Sequence, residues 1–512
     1  MSKILRFFKN LSFYDRLFII TFLLIAFFSY YRIGKASINN DAQFWYTRTQ
    51  RFITEVKNHR WERTLQNPKP GITVYWLSGL SLETFLNLYE WKFGFRPSIW
   101  TYETFPLTHF AVIAPLVTVS LAFIVVFYLI ISNLFSKKIA FYSVVLFGLQ
   151  PFYIGLSRNF HADSTVTAFM GISTLLLLYF LKSAKFRWLI LSGICAGLAL
   201  LSKSSAVYLI PYFFLALVID FLFEHRHSHF YVKSFILWIF FCSITFFILL
   251  PDMWVEPLEN LKVIFVNEGL FLAFVGRDGT VSNTNFYGTL LGYLGYLEPL
   301  WRDLTFPLFL SFLIGGIFSA YKVVSHNGKT IKYLLLISTY PLFYFIQMSL
   351  VSQKMDRYLL PLVPFLGFLG GYFLANLEGL FHSSSKKYFV SGVLLLNLGF
   401  VFYYFPNYLL YPSIKGKDQF GCSLCSDIGE YFNSKPNGDD LKIVITSNKV
   451  HRMRPFVRGK VYTKNEELPS NWTPEYLVIA EHESLPSEYP HCVLETEIGF
   501  KGVPYWKIFR CK

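Results

Sequence analysis

Apolar stretches of about 20 residues recur along most of this chain, and that recurrence limits the fold more than any other feature. A backbone surrounded by hydrocarbon must satisfy its own N–H and C=O groups, so such stretches read as spanning helices. Counting them gives about eleven spans, centred near Ile20, Ile124, Val145, Leu175, Ile194, Phe213, Ile239, Phe312, Leu336, Leu366 and Leu396. Only 15% of the residues are charged, where a soluble chain carries about a quarter. The expected fold class is mainly α, a polytopic membrane helix bundle.

The loops orient that bundle. Lys3, Arg6, Lys9 and Arg16 precede the first apolar run, and Phe27, Phe28, Tyr30 and Tyr31 stand where a cleavage site needs small residues. The first span is therefore expected to stay, with its N-terminus in the cytoplasm. Alternate loops then carry Lys137 and Lys138; Lys182, Lys185 and Arg187; Arg226 and Lys233; Lys322, Lys329 and Lys332; and Lys386 and Lys387. By the positive-inside rule those loops are cytoplasmic. Segments 33–107, 157–163, 202–205, 252–303 and 352–357 are expected outside, with the chain from about Pro412 onward. The formal charge of +15 follows from these loops. With no phosphate loop, zinc-finger spacing or RNA-binding signature present, the partner is a lipid bilayer and not nucleic acid. A multi-pass plasma-membrane protein is the expected location.

Residues 1–411 read as a transmembrane unit and 412–512 as a small soluble α/β domain, extracytoplasmic under this orientation. In the latter LKIVIT (441–446), FVRGKVYT (456–463), EYLVIA (475–480) and YWKIFR (505–510) look like short strands, with a helix near 424–433. Cys422, Cys425, Cys492 and Cys511 fall there, on the oxidising side, where disulfides are plausible. Cys422-x-x-Cys425 alternatively suits a redox pair or zinc. Asn471-Trp-Thr473 matches a glycosylation acceptor. Cys195 and Cys242, in apolar runs, read as small core residues.

The unusual polar clusters sit in the segments expected outside. The first of them reads NNDAQFWYTRTQRFITEVKNHRWERTLQNPKPGITVYW (39–76), dense in acids, cations and aromatics between nearly uncharged runs. It offers Asp41 and Lys69. SRNFHAD offers Arg158, His161 and Asp163, SKSS offers Lys203, and QKMDRYLLP offers Asp356, Arg357 and Tyr358. Each alone fits a snorkelling cation or a helix-capping acid. Together they suit displacement of a phosphate at a sugar carbon, with a carboxylate as base and fixed cations on the departing phosphate. A polyprenyl-phosphate sugar entering from the lipid needs no nucleotide site.

Asp41, Trp45, Arg48 and Phe52, then Pro70-Gly71, Thr73 and Trp76, followed by SRNFHADS, LSGICAGLALLSKSSAVYLIP, PDMWVEP and KMDRYLLPLVP, form an ordered set over most of residues 39–370. This set resembles the GT-C glycosyltransferases, in the branch of the dolichyl-phosphate-mannose–protein mannosyltransferases. The resemblance implies a GT-C-like bundle, a catalytic acid at Asp41, and interfacial helices over 42–58 and 71–93. Ala42 replaces the second acid of many relatives. Lys69-Pro70-Gly71 replaces His-Pro-Gly and is similar to the lipid A aminoarabinose transferases, which implies a phosphate contact for Lys69. Mannose does not follow from this pattern.

The expected function is transfer of a sugar from a polyprenyl-phosphate donor to an extracytoplasmic protein, lipid or glycan. A transporter or flippase of polyprenyl-linked sugars is the alternative. Asp41 is the expected base, unless it merely caps a helix starting at Ala42. Lys69, Arg158, Arg357 and Lys203 are expected on the donor phosphate. Arg48, His161, Asp163 and Asp356 are expected to support the site, and Glu256, near Trp254, to contact the acceptor. No acidic pair demands a metal and no cofactor is expected, although a divalent ion stays open. His225, His227 and His229 read as polar loop residues ahead of metal ligands.

Overall fold

The computed structural model describes residues 11–39, 41–68, 71–270, 295–326, 328–351, 355–377, 383–411, 422–446, 450–463 and 473–511. Each of the eleven expected centres falls inside a helix. Among the described residues nine helices are long and apolar enough to cross a membrane, or ten if the pair Lys137–Gly148 and Pro151–Ser157 counts as one span. The remaining centre, Ile194, lies in Phe186–Ser202, whose 17 residues fall short of that length. The chain is an integral membrane protein.

Two local devices shape the bundle. The pair around Gln150 and Pro151 is bent by 69°, and such a break strands carbonyls that lipid cannot satisfy. Asn397, fully buried on the Ser383–Tyr404 helix, supplies the donor: its Nδ2 donates to the carbonyls of Val145 at 3.0 Å and Leu149 at 2.8 Å. Its Oδ1 accepts from Thr305 at 2.6 Å, so the buried amide is used at both ends. The second device is Gly193-x-x-x-Gly197. A Cβ would lie 2.8 Å from the carbonyl oxygen of Trp238 at Gly193, and 2.6 Å from that of Cys242 at Gly197. The short Phe186–Ser202 helix thereby presses its backbone onto Ser228–Leu249, as small-residue spacing allows in membranes. Ser192 fixes its rotation, accepting from Trp238 Nε1 at 3.0 Å and donating to the Ser173 carbonyl at 2.7 Å.

The basic loops gather at one end of the bundle. Lys138 donates to the Ala375 carbonyl and Arg226 to that of Leu181, while Lys137 pairs with Asp15 at 2.6 Å. The Asp163–Ser183 helix carries Lys182 at this end and Asp163 at the other.

Between the first two spans run the helices Ala42–Lys57 and Ile72–Phe93, within a residue of the expected bounds. Leu80, Leu88 and Trp91 of the second are exposed, an apolar face suited to a membrane interface. Among the described residues the C-terminal part forms the helices Cys425–Asn433 and Val450–Met453 and five strands: β1 (Lys442–Ile445), β2 (Lys460–Thr463), β3 (Tyr476–Ala480), β4 (Val493–Phe500) and β5 (Val503–Arg510). Their order is β2-β1-β3-β5-β4, parallel among the first three and antiparallel beyond. β4 was not expected. It is a largely exposed edge strand whose glutamates and glycine hide its alternation.

Cys422 is joined to Cys425 and Cys492 to Cys511, the disulfides the oxidising side makes plausible. This C-terminal unit reaches back to the first span. The Cys422 N–H donates to the Ile38 carbonyl at 3.0 Å, and Glu430 pairs with Arg32 at 2.5 Å and Lys35 at 2.9 Å. Asn471 lies outside the described residues.

Candidate active site

Four segments far apart in sequence meet at the end of the bundle opposite the basic loops. They are the start of the Ala42–Lys57 helix, the turn leading into Asp163–Ser183, the end of Phe186–Ser202, and the short helical stretch Asp356–Leu362. They bring together Asp41, His161, Asp163, Lys203 and Arg357.

Asp163 is the buried centre. Lys203 Nζ donates to its Oδ1 at 2.6 Å, and Arg357 Nε lies 3.6 Å from its Oδ2. His161 Nδ1 approaches Oδ2 at 2.8 Å, a close pairing without the alignment of a good hydrogen bond. One buried carboxylate thus faces two cations and an imidazole, the compensation an ion needs away from water. Burial lowers the proton affinity of both Lys203 and His161, and Asp163 opposes that shift in each. Lys203 also lies over the Tyr358 ring, 3.8 Å from its centroid.

Asp41 stands at the open edge, its side chain 43% exposed. Arg357 Nη2 donates to its Oδ2 at 3.3 Å, and His161 Nε2 lies 3.8 Å from the same oxygen. The His161 ring, 4.9 Å from that of Trp45 in an edge-on arrangement, stands between the two carboxylates. Asp41 occupies the N-cap position of Ala42–Lys57, yet its side chain makes no capping hydrogen bond. Its carboxylate is therefore turned to the cluster.

The other expected residues lie elsewhere. Arg158 is buried against the end of the first span, where its guanidinium donates to the carbonyls of Phe28, Tyr31 and Pro406 and lies over the Tyr408 ring. It closes a helix C-terminus, the ordinary place for such a cation, and the expected role on a donor phosphate does not fit that position. Arg48 lies over the Phe44 ring and beside the Tyr75 hydroxyl. Asp356 pairs with Arg302, not with the Asp163 cluster. Glu256 is exposed and precedes the short helix Pro257–Leu261, next to Asp252, whose carboxyl burial pushes up to about 6. The Trp254 ring packs against that of Trp61, their centroids 5.1 Å apart and the planes tilted by 57°. Lys69 lies outside the described residues.

Metal-ligand geometry is sparse. Among the described residues a single group, His491, Cys492 and Cys511, brings three such ligand atoms together, and its cysteines are joined in a disulfide. His225, His227 and His229 form no such group.

With this geometry in place, the fold can be compared. ArnT from Cupriavidus metallidurans bound to undecaprenyl phosphate superposes with a TM-score of 0.54 at 12% identity, covering 97% of each chain. The chain has a GT-C fold. The apo oligosaccharyltransferase of Archaeoglobus fulgidus superposes with a TM-score of 0.50 at 11% identity, over 88% of this chain and 64% of that one. Residues 102–252 match the model of the dolichyl-phosphate-mannose-protein mannosyltransferase family. No curated protein matches the sequence. The matched stretch holds His161, Asp163 and Lys203 of the GT-C chain's cluster, while Asp41 and Arg357 flank it.

Sequence reasoning missed two contributors. Asn39 is buried beside Asp41, and a neutral amide in a charged loop carries no local signal of that. Arg302 gathers Glu298, Asp303 and Asp356 immediately before Arg357. Burial and Asp356 push the Asp303 carboxyl up to about 8 against the pull of Arg302, because one cation serves three acids. The Arg302-Asp303 dipeptide at the end of a long loop was the available signal.

Proposed function

We propose that this chain is a membrane glycosyltransferase that moves a sugar from a polyprenyl-phosphate donor to a protein, lipid or glycan acceptor. The observation that carries the reading is Asp41: an exposed carboxylate fixed beside Arg357 and His161, at the end of a bundle with a GT-C fold. The acceptor hydroxyl attacks the anomeric carbon of the donor. The carbon–oxygen bond to phosphate breaks, its electron pair leaves with the phosphate, and Asp41 takes the hydroxyl proton. Arg357 and Lys203 face the same space and carry the charge that develops on the phosphate. Asp163 holds both cations, and His161 lies within reach of the Asp41 oxygen that receives the proton. The undecaprenyl phosphate of the ArnT structure supports a lipid-linked donor for this chain.

The site and the C-terminal α/β unit, residues 412–512, face the extracytoplasmic side, and residues 1–411 form the transmembrane unit. Support comes from the basic loops gathered at the opposite end. The transporter alternative calls for ionisable residues near span centres, whereas the Asp163 cluster sits at span ends.

The test is transfer by purified protein in liposomes, offered labelled polyprenyl-phosphate sugars and a membrane extract, with Asp41→Asn alongside. Label transfer that disappears in a folded Asp41→Asn protein is expected. Transfer that persists in the variant would remove Asp41 from its role. A protein that neither transfers nor binds any polyprenyl phosphate would return the transporter reading.

A further inference from the structure

We infer that Asn39 is the positioning residue that sets Asp41 against His161, a role that rests on the transfer reading above. Its side chain is 2% exposed and uses both ends. Oδ1 accepts the backbone N–H of Asp41 at 2.8 Å, and Nδ2 donates to Asn159 Oδ1 at 2.6 Å and the Phe160 carbonyl at 2.9 Å. The backbone carbonyl of Asn39 adds a bond from the Ala42 N–H at 3.2 Å. One amide therefore ties the residue bearing the exposed carboxylate to the turn that bears His161 and leads to Asp163.

That tie answers a local problem. An aspartate ahead of a helix ordinarily spends its carboxylate on the free N–H groups of the first turn. Here the Asp41 side chain makes no such bond, and its own N–H is taken by Asn39, as in an Asx turn. The carboxylate is left for Arg357 and His161. The preceding residue is held independently, since the Ile38 carbonyl accepts from the Cys422 N–H. Asn39 thus has little freedom to follow if any of its own bonds is lost. Among the described residues no hydrogen bond joins Asn39 to Arg357 or Lys203, whose ion-pair partners are Asp41 and Asp163.

A residue that positions the base without holding the donor should separate turnover from binding. The experiment compares wild type, Asn39→Ala, Asn39→Asp and Asp41→Asn for kcat, for binding of undecaprenyl phosphate, and for amide exchange in the peptide 38–46. Asn39→Ala is expected to lower kcat about 10- to 100-fold, leave undecaprenyl phosphate binding within about twofold, and speed exchange in that peptide. Asn39→Asp keeps the acceptor for the Asp41 N–H but loses the donor to Phe160. It should recover the slow exchange and only part of the kcat.

Wild-type kcat in Asn39→Ala, or binding that falls in parallel with kcat, would overturn the inference while leaving the transfer reading intact if Asp41→Asn is inactive. Unchanged exchange in Asn39→Ala would overturn it regardless of turnover. Full activity in Asp41→Asn would overturn both, since there would be no base to position.

Discussion

Arg357 and Asp41 meet through one guanidinium nitrogen and one carboxylate oxygen at 3.3 Å, while the Nε of the same arginine stands 3.6 Å from Asp163. A single planar group therefore spans the exposed acid and the buried one. On the proposed reading, a donor phosphate entering the site would compete with Asp41 for this arginine and free the carboxylate as it binds.

Arg357→Lys keeps the charge but cannot reach both carboxylates with a fixed fork. Transfer at limiting donor should fall about 10- to 100-fold, or roughly 1.4–2.7 kcal/mol of transition-state stabilisation. Initial rates over a donor series check this, and a rate within about twofold of wild type would contradict the bridging role.

Asp163→Asn removes the carboxylate that compensates Lys203 and leaves a cation buried with an amide. Breaking such a pair from one side costs about 3–5 kcal/mol. Chemical denaturation in detergent should show that loss, and Asp163→Asn combined with Lys203→Met should recover part of it. A double variant whose loss equals the sum of the two single losses would contradict the coupling.

Asp303 makes stability depend on pH. Its carboxyl is pushed up to about 8, so the folded protein holds a proton that the unfolded chain, with a carboxyl near 4, has released. The native state binds more protons across that window. The contribution is full below about pH 4 and fades as pH rises towards 8. Midpoints of thermal unfolding between pH 5 and 8.5 should fall in wild type more than in Asp303→Asn, which cannot titrate. Equal slopes in the two proteins would refute this assignment.

Asn397→Leu keeps the branched shape and heavy-atom count of the side chain and removes the donor at the bent helix pair. The stranded carbonyls of Val145 and Leu149 should cost about 1–3 kcal/mol each way of counting a lost buried partner. Thermal unfolding checks the loss, and Asn397→Gln should not restore it, because the longer amide cannot occupy the same space.

The span centres were legible because hydropathy and alternating loop charge report the same physics twice. Ile194 was the shortest run for a reason visible only in space: Gly193 and Gly197 give up side chains so that a short helix can lie backbone to backbone with its neighbour. Asp41, His161, Asp163, Lys203 and Arg357 were each singled out from local composition, and the structure gathers them. Arg158, in the same SRNFHAD motif, has identical chemistry but faces three carbonyls at the end of the first span. Local sequence carries residue type, whereas direction depends on what the turn packs against. Asn39 was hidden for the converse reason, since a neutral amide among charged neighbours gives no signal until its three partners are placed.

The bond between Cys422 and Ile38 also has a timetable. A growing chain releases Ile38 first and reaches Cys422 on the order of tens of seconds later at ordinary rates of synthesis. The helices can enter the membrane in the interval, but the strand leading to Asp41 lacks its last tether until the C-terminal unit has formed and closed its disulfides. Premature termination before Cys422 would then leave the helices inserted without the bond that holds Ile38, the residue just ahead of Asn39.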